Sequence, residues 1–235
     1  RLSLVGSEMC IRDRSNVDSN FAEAEEQIEL ASRRGAELIG LPENFAFLGD
    51  DSEKVKLSEE LSIKCANFLK TMSQRYQVFL LGGGYPVPAG DDTHILNRSA
   101  LYGKDGLIIG QYDKIHLFDV DLPDGNLYKE SSTILSGSEK PPIIDIPGLC
   151  KVGLSICYDV RFPELYRYLS ENGAELLMIP AAFTAFTGKD HWQVLLQARA
   201  IENTAYVVAP AQTGIHYGRR PVSYTHLTLP TKRIV

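Results

Sequence analysis

No stretch of this 235-residue chain approaches the roughly 20 apolar residues that a membrane-spanning helix needs. A basic start followed by an apolar run and a small-residue cleavage site is missing too, so the sequence predicts a cytoplasmic protein with no membrane partner. Cysteine is scarce: Cys10, Cys65, Cys150 and Cys157 show no CxxC spacing. That argues against a zinc site, a disulfide framework and a dithiol redox pair, and predicts free thiols with no metal or organic cofactor. Lys and Arg number 24 against 30 Asp and Glu, giving a net charge of -6, and they form no stripe. A nucleic-acid surface is therefore not expected. Gly82, Gly83 and Gly84 run together without GxGxxG or Walker spacing, which points to close packing or a bulge instead of a phosphate cradle. No polar low-complexity linker divides the chain, so one domain is the expectation.

What the chain has is an alternation of helical and strand-like runs. Asn20 as N-cap, apolar Phe21, Ala24, Ile28 and Ala31, and a stop at Gly35 predict a helix. Residues 38–41 are wholly apolar, as in a strand covered on both faces, and break at Pro42 to deliver Glu43. Leu57, Leu61, Cys65, Phe68 and Met72 mark a second helix, and VFLLGGGY a second buried strand. Residues 95–102 and 107–112 flank a Gly-containing turn and should pair antiparallel. IIDI and KVGLSIC follow as strands, Pro163 opens a helix that Gly173 ends, and AELLMIPAAF is another buried strand. A helix bearing Trp192, Leu195, Leu196 and Ala200 then leads to the strand AYVVAPAQ. The order implies a layered α/β fold.

Candidate groups stand repeatedly at strand ends, where α/β sheets build their sites. Glu43 follows the first strand, and Lys114 and His116 follow the second strand of the hairpin. Cys157 sits where a strand turns into a helix, a geometry that can lift a nucleophile clear of the sheet and aim backbone N–H groups at a bound oxyanion. Each residue alone has a bland reading: a buried thiol, a capping carboxylate, a solvated lysine, a structural histidine. Their joint placement is what suggests chemistry.

The motifs LPENF with Glu43, YDKIHLFDVDLP with Lys114, KESSTILSG with Glu130 and GLSICYDVRFPELY with Cys157 resemble the nitrilase superfamily of carbon-nitrogen hydrolases. They stand in that family's order and are followed by PAAFTAFTGKDHW and LQARAIENTAYVVAPAQTG. The resemblance implies a four-layer αββα sandwich, a Glu-Lys-Cys triad made of Glu43, Lys114 and Cys157, and a supporting Glu130. Hydrolysis would run through an acyl-thioester, with Glu43 as proton carrier and with Lys114 and the N–H of Tyr158 on the oxyanion. Phe183 and Thr184, just past a strand end, are expected to line the substrate pocket with Tyr158. The closest look is to the deaminated glutathione amidase and ω-amidase branches, which implies a small carboxylate-bearing amide as substrate and a homodimer or higher homo-oligomer. Alternatives are an aliphatic nitrilase, an inactive binding protein on the same fold, and, least supported, a redox-active thiol protein.

The resemblance covers residues 15–220. The ends, RLSLVGSEMCIRDR at 1–14 and PVSYTHLTLPTKRIV at 221–235, depart from the family and resemble translated sequencing-adapter text. They are expected to be non-native tails on a domain incomplete at both ends, with sheet edges left open and solubility reduced.

Overall fold

The computed structural model describes residues 16–121, 127–216, 220–222 and 227–229. The first tail lies outside the described residues, as does most of the second.

The first helix, α1 (Val17–Arg33), begins earlier than the sequence predicts. Asn16 is its N-cap and accepts the Ser19 N–H at 3.1 Å. Asn20 instead faces inward and donates its amide to the Ala46 carbonyl at 2.8 Å, so its polarity serves a long-range contact and not a cap. The chain leaves α1 through Gly35, whose φ of +84° suits a residue without a Cβ. Two helices, α2 (Asp51–Lys56) and α3 (Ser58–Tyr76), follow the strand β1 (Leu38–Gly40).

Four strands form the first sheet in the order β1, β2 (Phe79–Pro88), β3 (Ile95–Tyr102) and β4 (Ile108–Asp113). β1 and β2 are parallel; β2, β3 and β4 form an antiparallel meander, as the Gly-containing turn predicts. The two faces of this sheet bury different sets. Ile39, Leu80, Ala100 and Tyr102 pack with Ala24, Ile28, Cys65 and Leu69 of α1 and α3. Leu38, Leu81, Leu101 and Tyr112 join the core of the second sheet. Both faces of β1 and of the start of β2 are therefore covered, which is why these two segments read as near-continuous apolar runs.

The second sheet contains β7 (Ile143–Ile146), β8 (Cys150–Leu154), β9 (Leu176–Met178) and β10 (Tyr206–Ala209), with β8, β9 and β10 parallel. Its outer side carries α4 (Pro163–Glu171) and α5 (Ala185–Asn203), whose Leu165, Leu169, Trp192 and Leu196 complete the core. Short hairpins, β5 (Asp119–Asp121) with β6 (Leu127–Lys129) and β11 (Gly214–His216) with β12 (Arg220–Val222), lie outside both sheets. The layers are helices, sheet, sheet, helices: the expected αββα sandwich.

The second tail does not leave the β10 edge open. A strand β13 (Leu227–Leu229) pairs antiparallel with β10, matching Val207 to Leu229 and Ala209 to Leu227. The sheets meet closely where glycine permits it. A Cβ on Gly83 would lie 1.9 Å from the Leu41 carbonyl oxygen and 2.5 Å from Pro180, so only glycine fits between the strand ends of the two sheets. The β2–β3 register shifts between Gly82 and Tyr85, as the glycine run suggests.

Candidate active site

The strand ends that meet at Gly83 also deliver the polar groups. β1 exits through Leu41, whose N–H donates to the Leu81 carbonyl, and Pro42 into a turn that carries Glu43. The Glu43 main chain is fixed from the other sheet by Gln212, whose amide donates to the Glu43 carbonyl at 3.1 Å. β4 ends at Asp113 and hands on Lys114, whose N–H donates to the Asn97 carbonyl at 2.9 Å. β8 leads through Ser155 and Ile156 into a 3₁₀ turn, Cys157–Arg161. Cys157 adopts φ +46°, a left-handed conformation uncommon outside glycine, and is held there by its N–H donating to the Pro180 carbonyl at 2.8 Å.

These three side chains converge in the interior. Lys114 is 2% exposed and Glu43 3%. The Lys114 ammonium donates to Glu43 Oε1 at 3.2 Å and to both Glu130 oxygens at 2.9 Å. Glu130 stands in the 3₁₀ turn Glu130–Ser132 after β6, and its Oε2 also accepts the Phe118 N–H at 2.6 Å. The buried cation thus has two carboxylates, which a desolvated ammonium requires. Glu43 accepts further bonds from the Asn97 amide to Oε1 and the Ala182 N–H to Oε2, both at 2.9 Å.

The electrostatics follow from this packing. Burial works to raise the Glu43 carboxyl, but the Lys114 charge and the hydrogen bonds from Cys157, Ala182 and Lys114 outweigh it and hold the group below its usual value. Burial works to lower Lys114, yet Glu130, Glu43 and Cys157 together push it up. Cys157 moves well up: burial and the facing Glu43 carboxylate exceed the opposing pull of Lys114. The resting site therefore holds a carboxylate, an ammonium and a neutral thiol. The Lys114 charge does favour the thiolate, but burial wins. A thiol in this setting becomes a nucleophile only by losing its proton to a neighbour during attack, and the Glu43 carboxylate is in hydrogen-bond contact with it.

A cavity of about 80 Å³ opens above the thiol. Its walls include Glu43, Lys114, Glu130 and Cys157 together with Tyr158, Phe183 and Thr184, so these seven residues share one space, which His116 does not line. Phe183 is braced by Trp192, with ring centroids 4.9 Å apart, and Tyr158 lies edge-on to Phe118 at 5.1 Å. The Thr184 hydroxyl pairs with that of Thr187 at 2.8 Å. His116 is structural, stacked on Phe162 at 3.6 Å and bonded to Asp159. Among the described residues no group of His, Cys, Asp and Glu is arranged to hold a metal ion.

Sequence reasoning missed four contributors. Asn97 and the Ala182 N–H orient Glu43 from strands far away in the chain. Asp159 ties the Cys157 turn to the Lys114 segment. Lys54 lines the cavity from α2. A polar Asn in the buried run ILNRSALY and an acid two residues after the cysteine were the available signals for the first and third of these.

Comparison with known proteins gives a consistent picture. The carbon-nitrogen hydrolase family model matches residues 1–235. The deaminated glutathione amidase of Synechocystis sp. is 57% identical over 214 residues, covering 91% of this chain and 78% of that protein. The deaminated glutathione amidase of Dictyostelium discoideum is 39% identical over 223 residues, covering 92% and 76%. The crystal structure of the NitFhit protein of Caenorhabditis elegans superposes with a TM-score of 0.86 at 36% identity, over 92% of this chain. The match covers 53% of that chain, so this sequence spans about half of the fusion protein. An amidase from Nesterenkonia sp., at 24% identity and a TM-score of 0.81, shares the fold over 98% of this chain and 85% of its own.

Proposed function

Because the chain belongs to the carbon-nitrogen hydrolase family, we propose that it is an amidase that hydrolyses a small carboxylate-bearing amide through an acyl-thioester on Cys157, with deaminated glutathione as the leading substrate. The observation that carries this reading is the buried Glu43 carboxylate, held by Lys114, Asn97 and Ala182 and facing the Cys157 thiol. The 57% identical relative named for deaminated glutathione supports the choice of substrate.

In this reading the Cys157 sulfur attacks the amide carbonyl as its proton passes to Glu43. The oxyanion meets the Lys114 ammonium and the N–H of Tyr158, charges fixed before the reaction begins. Glu43 then gives its proton to the nitrogen, and the C–N bond breaks to release ammonia or an amine. Water attacks the thioester, losing a proton to Glu43, and the carboxylic acid leaves as the thiol is reprotonated. Glu130 positions Lys114, and Phe183, Thr184 and Tyr158 shape the acyl pocket. Two positive partners are needed near the carbonyl oxygen because the thioester-forming step builds negative charge in a desolvated space.

We read residues 15–220 as the catalytic domain. A homodimer is our reading of the assembly, and the exposed apolar side chains of Val194 and Ile201 on α5 support a helix-mediated contact. The free thiols Cys65, Cys150 and Cys157 suit a reducing, cytoplasmic setting, and among the described residues no helix is long and apolar enough to cross a membrane.

The test is product release from deaminated glutathione, α-ketoglutaramate and simple aliphatic nitriles. Hydrolysis of the acidic amides that disappears in Cys157→Ala is expected. Turnover that survives this substitution, or a preference for nitriles, would overturn the reading.

A further inference from the structure

Helix α2 is built the wrong way round for a helix that only supports a fold. Its buried position is Lys54, 6% exposed, while Val55 beside it is half-buried. Lys54 continues the inward stripe of α3, Ser58, Leu61, Cys65, Leu69 and Met72, at the spacing where an apolar side chain is expected. The nearest anion is Asp51 Oδ1 at 3.6 Å, beyond hydrogen-bond range, and the Asp51 side chain is 60% exposed and solvated. The Lys54 stem is buried while its ammonium keeps some solvent contact, so the charge is held by this loose ion pair and the solvent of the cavity, and a better anionic partner would complete it.

Lys54 lines the same cavity as Cys157. The other buried cation there, Lys114, is already taken by Glu43 and Glu130. Lys129, the remaining cation on the cavity wall, is exposed. Lys54 is thus a largely buried positive charge on the cavity wall, without a hydrogen-bonded partner among the described residues.

We infer that Lys54 is the specificity determinant of the site, pairing with the carboxylate of an acidic amide substrate while the scissile carbonyl lies at Cys157. This rests on the amidase reading above. It assigns the acid preference to one side chain, and the carboxylate supplies the charge-assisted contact that Lys54 lacks. Neutral amides of the same shape would reach the thiol but leave the ammonium unpaired, and so would be disfavoured.

The experiment compares succinamate with its neutral isostere succinamide on the full chain, as wild type, Lys54→Met and Lys54→Arg. Wild type is expected to prefer succinamate. Lys54→Met should lower kcat/KM for succinamate about 10- to 100-fold, mainly through KM, the size of a lost charge-assisted hydrogen bond. Its activity on succinamide should change less than about threefold, Lys54→Arg should recover part of the preference, and the Lys54→Met Tm should equal or exceed that of wild type because a buried charge has been replaced by an isosteric apolar chain. An equal loss on both amides, an unchanged succinamate KM, or a sharp fall in Tm would overturn the assignment and leave the amidase reading standing. Hydrolysis of neither amide nor of deaminated glutathione by wild type would overturn both.

Discussion

The carboxylate of Asp159 receives the Tyr112 hydroxyl at 2.9 Å, joining residues 47 positions apart. The same oxygen accepts the Ile156 N–H at 2.8 Å, and the other faces the His116 N–H at 3.2 Å and its ring Nδ1 at 2.7 Å. Asp159 is fully buried. One side chain therefore clamps the turn that carries Cys157 to the segment that carries Lys114, and the separation of these two residues depends on it.

Asp159→Asn keeps the size but turns one acceptor into a donor among donors. Chemical denaturation should show a loss of roughly 1–3 kcal/mol, the cost of leaving a buried group unsatisfied. kcat should fall as well, since the turn loses its tether. Tyr112→Phe removes one bond and should cost less. Equal stability in Asp159→Asn and wild type would remove Asp159 from this role.

Glu43→Gln preserves shape and most hydrogen-bonding capacity but cannot take the thiol proton. Steady-state kinetics should show kcat reduced by about 10²- to 10⁴-fold, with Cys157 still present and unmodified. Lys114→Met should be at least as damaging, because it also leaves Glu43 and Glu130 facing one another without a cation. A Glu43→Gln enzyme with near-normal kcat would assign the base elsewhere.

The pH profile separates this site from one that relies on a preformed thiolate. In the proposed mechanism Glu43 must be ionised to act, and the Lys114 charge and its hydrogen bonds hold its carboxyl below the ordinary glutamate range against the opposing effect of burial, so the acid limb of kcat/KM should lie on the acid side of that range. Cys157 is pushed upward, so no rise in activity should accompany the range near pH 8.5 where an ordinary thiol ionises. Stability follows the same group: a lowered carboxylate contributes fully above its unfolded pKa, and that contribution fades as pH falls through the folded value. An activity curve that climbs with a midpoint near 8.5 would contradict the neutral resting thiol.

Gly83→Ala should be among the most damaging small substitutions outside the triad. The added methyl would meet backbone at Leu41 and the Pro180 ring, neither of which can rotate away. Thermal unfolding should show a loss at the upper end of the roughly 1–3 kcal/mol seen for overpacking. Gly90→Ala has open space around its Cβ, so it answers only for its positive φ and serves as a comparison.

Legibility in the sequence followed the range over which each cause acts. The inward stripe of α3 and the double-sided burial of β2 are local patterns, and they gave those elements directly. Glu43 and Cys157 stood out because each follows an apolar run that ends abruptly, Lys114 because it follows the second strand of the hairpin, and the motifs around all three are distinctive. The start of α1 was misplaced because Asn20 has the chemistry of a cap, while its actual partner, Ala46, is distant in the chain. Asn97, Ala182 and Asp159 escaped for the same reason: what they do is set by contacts with residues more than 40 positions away in the chain, which no local spacing encodes. Lys54 was visible as a charge on an apolar stripe, but only once α2 and α3 are seen to share one inward face.

The most direct measurement is intact-mass analysis of the protein quenched during turnover of deaminated glutathione, followed by peptide mapping. The account predicts a transient mass increase equal to the acyl group, located on Cys157 and absent in Cys157→Ala. Hydrolysis that proceeds with Cys157 unmodified throughout, or an adduct on another residue, would contradict it.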